Sequence, residues 1–95
     1  MAWLYIMADR KLGTVYIGAT NDIVRRVWEH KNDLVPGFTR KYQCHLLVYY
    51  EEHQTIYLAM QRERTMKHWV RAWKNALIEK DNPEWDDLYL GILPG

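Results

Sequence analysis

Residues 3–18 decide the fold, and they read Trp3-Leu4-Tyr5-Ile6-Met7-Ala8-Asp9-Arg10-Lys11-Leu12-Gly13-Thr14-Val15-Tyr16-Ile17-Gly18. Two short runs of aromatic and branched residues, 3–7 and 14–18, predict β-strands. The polar segment between them, 9–13, ends in glycine, which is typical of a hairpin loop. This connection is too short to hold a crossover helix, so we expect the two strands to pair antiparallel.

Beyond this hairpin the chain alternates between helical and strand patterns. Thr20-Asn21-Asp22 offers capping side chains for a helix that runs to about residue 32. The apolar run 46–50 predicts a third strand covered on both faces. Further helices are expected over about 56–69 and 71–80. This order favours an α+β fold, in which a small three-stranded antiparallel sheet is flanked by helices.

The composition predicts one globular domain in the cytoplasm. Ninety-five residues, of which 48% are apolar, can bury one modest core. No apolar run approaches the roughly 20 residues that a membrane span needs, and the first residues lack the blocks of a signal peptide. The single cysteine, Cys44, cannot form an internal disulfide, which fits a reducing cytosol. We expect it to be a core or edge residue.

Charge is distributed unevenly along the chain. Residues 1–80 hold all 13 lysines and arginines against eight acids, whereas residues 81–95 hold four acids and no basic residue. A basic body can meet phosphates through local charge even though the net charge is only +1. The apolar residues of the tail, such as Trp85 and Leu88, would stay in water unless the tail folds back. We predict a domain over 1–80 with a packed acidic and apolar tail over 81–95; a partner-binding tail is the alternative.

Two predicted helices carry polar side chains within apolar stripes. A stripe at helical spacing surrounds Glu63, namely Ile56, Ala59, Met60 and Met66. A carboxylate that faces a core costs several kcal/mol, roughly, unless it is paired or binds a metal. Arg26 and His30 lie one turn apart on a half-apolar face, and the arginine fork suits a phosphate. The alternatives are an ion pair between Glu63 and an arginine, and a satisfied histidine at the rim of the core.

In combination, these residues resemble the GIY-YIG nuclease family. That family has a first motif that ends in tyrosine, here Trp3-Leu4-Tyr5, and about ten residues later Tyr-Ile-Gly, here Tyr16-Ile17-Gly18. It then places an arginine and a histidine on the following helix, here Arg26 and His30. Its metal-binding glutamate lies on a later helix, here Glu63.

The resemblance covers about residues 2–79 and is strongest with small stand-alone bacterial members. One departure is Trp3, which stands where the name-giving motif has glycine. Larger relatives include the incision subunit of bacterial excision repair and phage homing endonucleases, in which separate domains bind DNA. Because this chain shows no such domain, the resemblance implies that targeting to DNA is weak or supplied by a protein partner.

The resemblance implies a metal-dependent endonuclease that hydrolyses phosphodiester bonds of DNA in repair or recombination. Tyr5 would be the general base, and Tyr16 would position water or phosphate, although the sequence leaves open which tyrosine is the base. Arg26 would neutralise charge on the phosphoryl oxygens, and His30 would hydrogen-bond Tyr5 or shuttle its proton. Glu63 would hold one Mg²⁺ or Mn²⁺ ion. The alternatives are a non-catalytic module that binds nucleic acid or protein, and a metal-free scaffold in which Glu63 and Arg26 pair.

Overall fold

The computed structural model describes all residues, 1–95, and contains three strands and five helices. The strands are β1 (Ala2–Ala8), β2 (Val15–Thr20) and β3 (Leu46–His53). The helices are α1 (Ile23–Lys31), α2 (Phe38–Tyr42), α3 (Ile56–Lys67), α4 (Arg71–Asp81) and α5 (Tyr89–Ile92). The strands form one antiparallel sheet in the order β2-β1-β3, which confirms the predicted α+β fold. None of the helices is long and apolar enough to cross a membrane.

The hairpin of β1 and β2 places two tyrosines on one face of the sheet. The Asp9 side chain accepts a hydrogen bond of 2.7 Å from the Thr14 amide and so closes the connecting loop. In the resulting register Tyr5 lies opposite Gly18, and Met7 lies opposite Tyr16. Since side chains alternate along a strand, Tyr5 and Tyr16 project to the same side.

Both faces of the central strand β1 are covered. One face packs in a cluster with α1, through residues that include Ile23 and Val27. The opposite face packs with α3 and α4 through Met66 and Ile78. Trp85, from the tail, joins this second cluster and is only 2% exposed. The sheet is therefore the middle layer of the domain.

The third strand is longer than predicted, since it continues to His53. Leu47 and Val48 are fully buried in the clusters on opposite faces of the sheet, so the run is covered on both faces as predicted, up to its last residue, Tyr50, which is 38% exposed. The basic segment 38–42, whose sequence pattern favours neither helix nor strand, is the short helix α2, which buries only Thr39. Cys44 is fully buried, as expected of a core residue.

Candidate functional site

A hydrogen-bonded pair, Tyr5 and His30, lies at the centre of the candidate site. The Tyr5 hydroxyl and His30 Nε2 are 2.8 Å apart, and both residues are buried. His30 lies on the buried face of α1, one turn after Val27, and its Nδ1 lies 2.9 Å from the Thr39 hydroxyl of α2. His30 is therefore held at both ring nitrogens inside the protein, rather than at the rim that one alternative expected.

Burial sets the protonation of this pair. It raises the pKa of Tyr5 well above its usual range, and the neighbouring Tyr16 adds to the effect. Burial, with the Arg26 charge, lowers the pKa of His30 to about 4. Both groups are therefore neutral at pH 7, so one imidazole nitrogen donates a hydrogen bond and the other accepts one. If Tyr5 donates to Nε2, Nδ1–H donates to Thr39; in the other tautomer both directions reverse.

Tyr16 lies beside this pair, with ring centroids 5.5 Å from His30 and 6.4 Å from Tyr5. Its neighbour in the motif, Gly18, lies beneath the Tyr5 ring. A Cβ atom at position 18 would be 2.5 Å from both Cζ and the hydroxyl oxygen of Tyr5, far inside a van der Waals contact. Glycine is therefore required at position 18 by the space that Tyr5 occupies.

Arg26 reaches the site from the solvent side of α1. Its side chain is 42% exposed, and Nε lies 3.7 Å from Glu29, whose carboxylate is also 3.4 Å from Arg25. The Arg26 charge lies close enough to Tyr5 to offset part of the rise in its pKa. Both arginines line a cleft of about 520 Å³ that opens at the amino end of α1. Arg26 does not pair with Glu63, which removes the metal-free pairing alternative.

Glu63 lies on α3, partly exposed rather than in the core. Of its stripe neighbours, Ala59 and Met66 are fully buried and Met60 is 45% exposed, so Glu63 lies at the edge of the core. The Glu63 side chain is 21% exposed and pairs with Lys67 at 2.7 Å. Lys67 Nζ lies 5.8 Å from the centroid of the Tyr16 ring, and the charge of Glu63 contributes to the rise in the Tyr5 pKa. Glu63 is thus near both tyrosines.

The donor set at this site fits a cation that takes few ligands from the protein. No group of three or more His, Cys, Asp or Glu side chains is placed to hold a metal, so a closed zinc-type site is excluded. Mg²⁺ keeps several waters and commonly takes one or two carboxylates together with substrate phosphate oxygens. Glu63 offers that single carboxylate, because only one of its oxygens is engaged, by a half-exposed lysine.

The structure brings all five sequence-predicted residues together, and it adds three that sequence reasoning missed. Thr39 fixes the second nitrogen of His30, and no signal in the ambiguous segment 38–42 pointed to it. Lys67 follows Glu63 by one helical turn, a spacing that predicts an ion pair. Gly18 was present in the motif, but its role beneath Tyr5 follows only from the strand register.

Comparisons with known proteins bear on the family of this chain. A protein from Bacillus pumilus described as a UPF0213 protein is 35% identical over 68 residues, which is 72% of this chain and 69% of that protein. The NMR structure of a UPF0213 protein from Bacillus halodurans, 27% identical, superimposes with a TM-score of 0.55 over 92% of this chain and 93% of that one. Residues 1–76 match the family described as the GIY-YIG catalytic domain. The chain therefore belongs to the GIY-YIG family of nucleases, as a small member related to the UPF0213 proteins.

Proposed function

We propose that this protein is a metal-dependent endonuclease that hydrolyses phosphodiester bonds of DNA. The observation that carries the proposal is the 2.8 Å hydrogen bond between Tyr5 and His30, beside Tyr16 and within reach of the charges of Arg26 and Glu63. A buried tyrosine and histidine that contact each other next to a surface arginine and a carboxylate provide a proton path and a phosphate site together. By resemblance alone, the setting we propose is DNA repair or recombination.

The proton path runs inward from the attacking water. Because the pKa of Tyr5 is raised by burial, a free phenolate at this position is disfavoured before substrate binds. Tyr5 can instead accept the proton of water while its own proton passes to Nε2 of neutral His30. The Nδ1–H of His30 donates to Thr39 throughout. The hydroxide produced attacks phosphorus, the bond to the leaving oxygen breaks, and that oxygen takes a proton from solvent. His30 is a weak base, with a pKa of about 4, so the step needs the negative charge of the bound phosphate nearby.

The surface residues act on the phosphate. Arg26 presents a planar guanidinium that can neutralise the charge that develops on the phosphoryl oxygens. Glu63 would hold the divalent cation, which when bound supplies Lewis-acid polarisation of the phosphate. Tyr16 makes no hydrogen bond through its hydroxyl, and since no buried polar atom lacks a partner, that hydroxyl reaches solvent. Tyr16 can therefore position the attacking water beside Tyr5, or hold a phosphate oxygen.

The test is a nicking assay on supercoiled plasmid and on branched DNA with Mg²⁺, Mn²⁺ or EDTA. We expect nicks only with a divalent cation, and we expect Glu63→Gln to abolish them without lowering the melting temperature. The matched control is Glu52→Gln, which removes a carboxylate that is exposed on β3 and forms no ion pair. DNA binding without any nicking by the native protein would instead establish the non-catalytic module. Full activity in Glu63→Gln would remove Glu63 as the metal ligand.

A further inference from the structure

Three aromatic rings lead away from the candidate site along the surface. Starting from Tyr16, the rings of Phe38 and Tyr42 follow at centroid separations of 6.0 Å and 4.7 Å. We call Tyr16, Phe38 and Tyr42 the aromatic ladder. Beside its first two rings lies a cleft of about 250 Å³ that is also lined by Lys67 and Lys74. The ladder thus begins at a proposed catalytic residue and continues into open surface.

The two outer rings are not needed to anchor α2 in the core. Phe38 and Tyr42 are each 43% exposed, and the one residue that α2 buries is Thr39. Large aromatic side chains that remain this exposed next to each other are typical of binding surfaces rather than of packing. Neither ring has a role in the proposed proton path.

The surroundings of the aromatic ladder carry positive charge that the protein leaves unneutralised. The segment 34–50 contains no Asp or Glu, but it contains Arg40 and Lys41. Arg40, Lys41 and Lys74 take part in none of the salt bridges of the chain. The Lys41 ammonium lies 5.4 Å from the centroid of the Tyr42 ring. Exposed rings interleaved with free cations are complementary to an anionic ligand that has flat, uncharged faces.

We propose that the aromatic ladder stacks the bases of unpaired nucleotides that continue from the strand to be cut, with the free cations on their phosphates. Single-stranded DNA presents both features, since every base has a face that stacks on aromatic side chains and its backbone follows a basic groove. In a duplex the base faces are covered by their neighbours, so blunt duplex DNA can use the cations but not the rings. The inference rests on the proposed function for the position of the scissile phosphate, and it names DNA with a single-stranded tail as the preferred substrate.

The experiment measures binding of the full chain in EDTA, so that no cutting takes place. The probes are a labelled blunt duplex and the same duplex with a short single-stranded tail. We expect Phe38→Ala to weaken binding of the tailed probe about five- to a hundredfold, the usual effect of losing one stacked base, and to leave the blunt probe unchanged. Tyr57→Ala is the matched control, because Tyr57 is an aromatic residue of α3 that is 65% exposed and lines neither cleft.

Two further variants keep the test decisive if Phe38→Ala unfolds. Phe38→Leu retains an apolar side chain on α2 but has no aromatic face, and Tyr42→Ala alters only the outermost ring. Both should weaken binding of the tailed probe while the melting temperature stays near that of the native chain. Equal losses on both probes, no loss on either, or a native protein without preference for the tail would overturn the inference.

The same assay separates this inference from the proposed function. If native protein prefers the tailed probe through Phe38 but never nicks DNA with Mg²⁺ or Mn²⁺, the ladder stands and the nuclease proposal fails. If the protein cuts DNA and Phe38→Ala binds and cuts tailed DNA as the native chain does, the nuclease stands and the ladder fails.

Discussion

Two clusters in this chain contain the same four residue types and have opposite character. The candidate site has Tyr5, His30, Arg26 and Glu63, and a second cluster on β3 and α3 has Tyr49, His53, Arg62 and Glu51. In the second cluster all three partners bond to one carboxylate, at 2.5 Å from Tyr49, 2.6 Å from His53 and 3.0 Å from Arg62. In the candidate site Tyr5 bonds only to His30, and the ion-pair partner of Glu63 is the half-exposed Lys67.

The two clusters differ in how many protein donors bond to their carboxylate, not in their residue types. An ionised carboxylate has about four lone-pair sites, and Glu51 fills them with protein donors. Burial alone would raise the pKa of Glu51, but the hydrogen bonds from Tyr49, His53 and Arg62 outweigh it and hold the pKa below its usual value of 4.5. Glu63 keeps acceptor capacity for a cation or water. A cluster that stabilises the fold thus fills the hydrogen-bonding capacity of its carboxylate with its own donors, whereas the candidate catalytic cluster leaves part of that capacity to ligands.

The largest expected effect contrasts the two arginines. Arg26→Ala should lower the nicking rate about 10²–10³-fold, the usual effect of losing one transition-state charge contact, with little change in melting temperature. Arg62→Ala should lower the melting temperature and leave the nicking rate of the folded protein nearly unchanged. The reason is that Arg62 bonds Glu51 and lies 5.1 Å from the centroid of the Trp69 ring. Rates measured with plasmid and melting curves of both variants provide the check.

Two controls sharpen this contrast. Arg26→Lys should also cut poorly, since a point charge cannot reproduce the guanidinium fork. Arg25→Ala should chiefly weaken DNA binding, and most at low salt, because the Arg25 side chain is 75% exposed. If Arg25→Ala and Arg26→Ala lowered the rate equally, the two positions would form a general basic patch and not part of an active site.

The next effect concerns stability. Glu51→Gln should destabilise the fold by about 1–3 kcal/mol, because the amide keeps one acceptor oxygen but turns the other into an NH2 group that faces partly buried donors. For a domain of this size each kcal/mol corresponds to about 4–8 °C in melting temperature. The nicking rate per folded molecule should not change. A variant that melts like the native chain would show that the second cluster does not stabilise the fold through its carboxylate.

Per pH unit, the smallest expected effect is a change in stability with pH, which the two clusters produce over different pH ranges. The pKa of His30 is lowered to about 4 from 6.5, so between these values the unfolded chain binds a proton that the folded chain does not. Stability should therefore fall as the pH drops from 6.5 towards 4, with a slope on the order of 1 kcal/mol per pH unit. Urea titrations at several pH values measure it.

Glu51, the carboxylate of the second cluster, affects stability over a different pH range. The folded pKa of Glu51 is depressed, so its contribution is complete above 4.5 and is lost as the pH falls through the folded value. The slope between pH 6.5 and 4.5 thus reports His30. It should disappear in His30→Gln and persist in His45→Gln, a half-exposed histidine bonded to Asp33. An unchanged slope in His30→Gln would mean that His30 is not the group responsible.

Much of the fold could be predicted because its signals are local. The aromatic and branched runs on both sides of a polar, glycine-ended loop define the hairpin, and Asp22, one of the capping side chains expected before α1, caps that helix. The end of β3 was missed because Glu51, Glu52 and His53 resemble a loop, yet hydrogen bonds hold two of them in the sheet edge. Helix α2 was ambiguous because five residues are too few to show a helical period.

The candidate site was less accessible to sequence reasoning. Tyr5 and His30 are 25 positions apart, and no local pattern reports that their side chains touch. The family resemblance supplied the residue set, and its catalytic roles remain predictions. The depth of Glu63 could not be read from its apolar stripe, because the stripe does not reveal how well each member is covered: Ala59 and Met66 are fully buried, whereas Met60 is 45% exposed. No pattern in the sequence predicted the hydrogen-bonded cluster around Glu51 either.

The position of Tyr5 in the central strand has a consequence for the timescale of motion. Its amide lies in the one strand that is paired on both sides and covered on both faces, so exchange of that hydrogen with solvent should require opening of the whole domain. Glu63 and Arg26 lie on helix surfaces, where side chains change rotamer within nanoseconds. The buried part of the site, at Tyr5, would therefore stay fixed, whereas the side chains of Arg26 and Glu63 can adjust to each substrate.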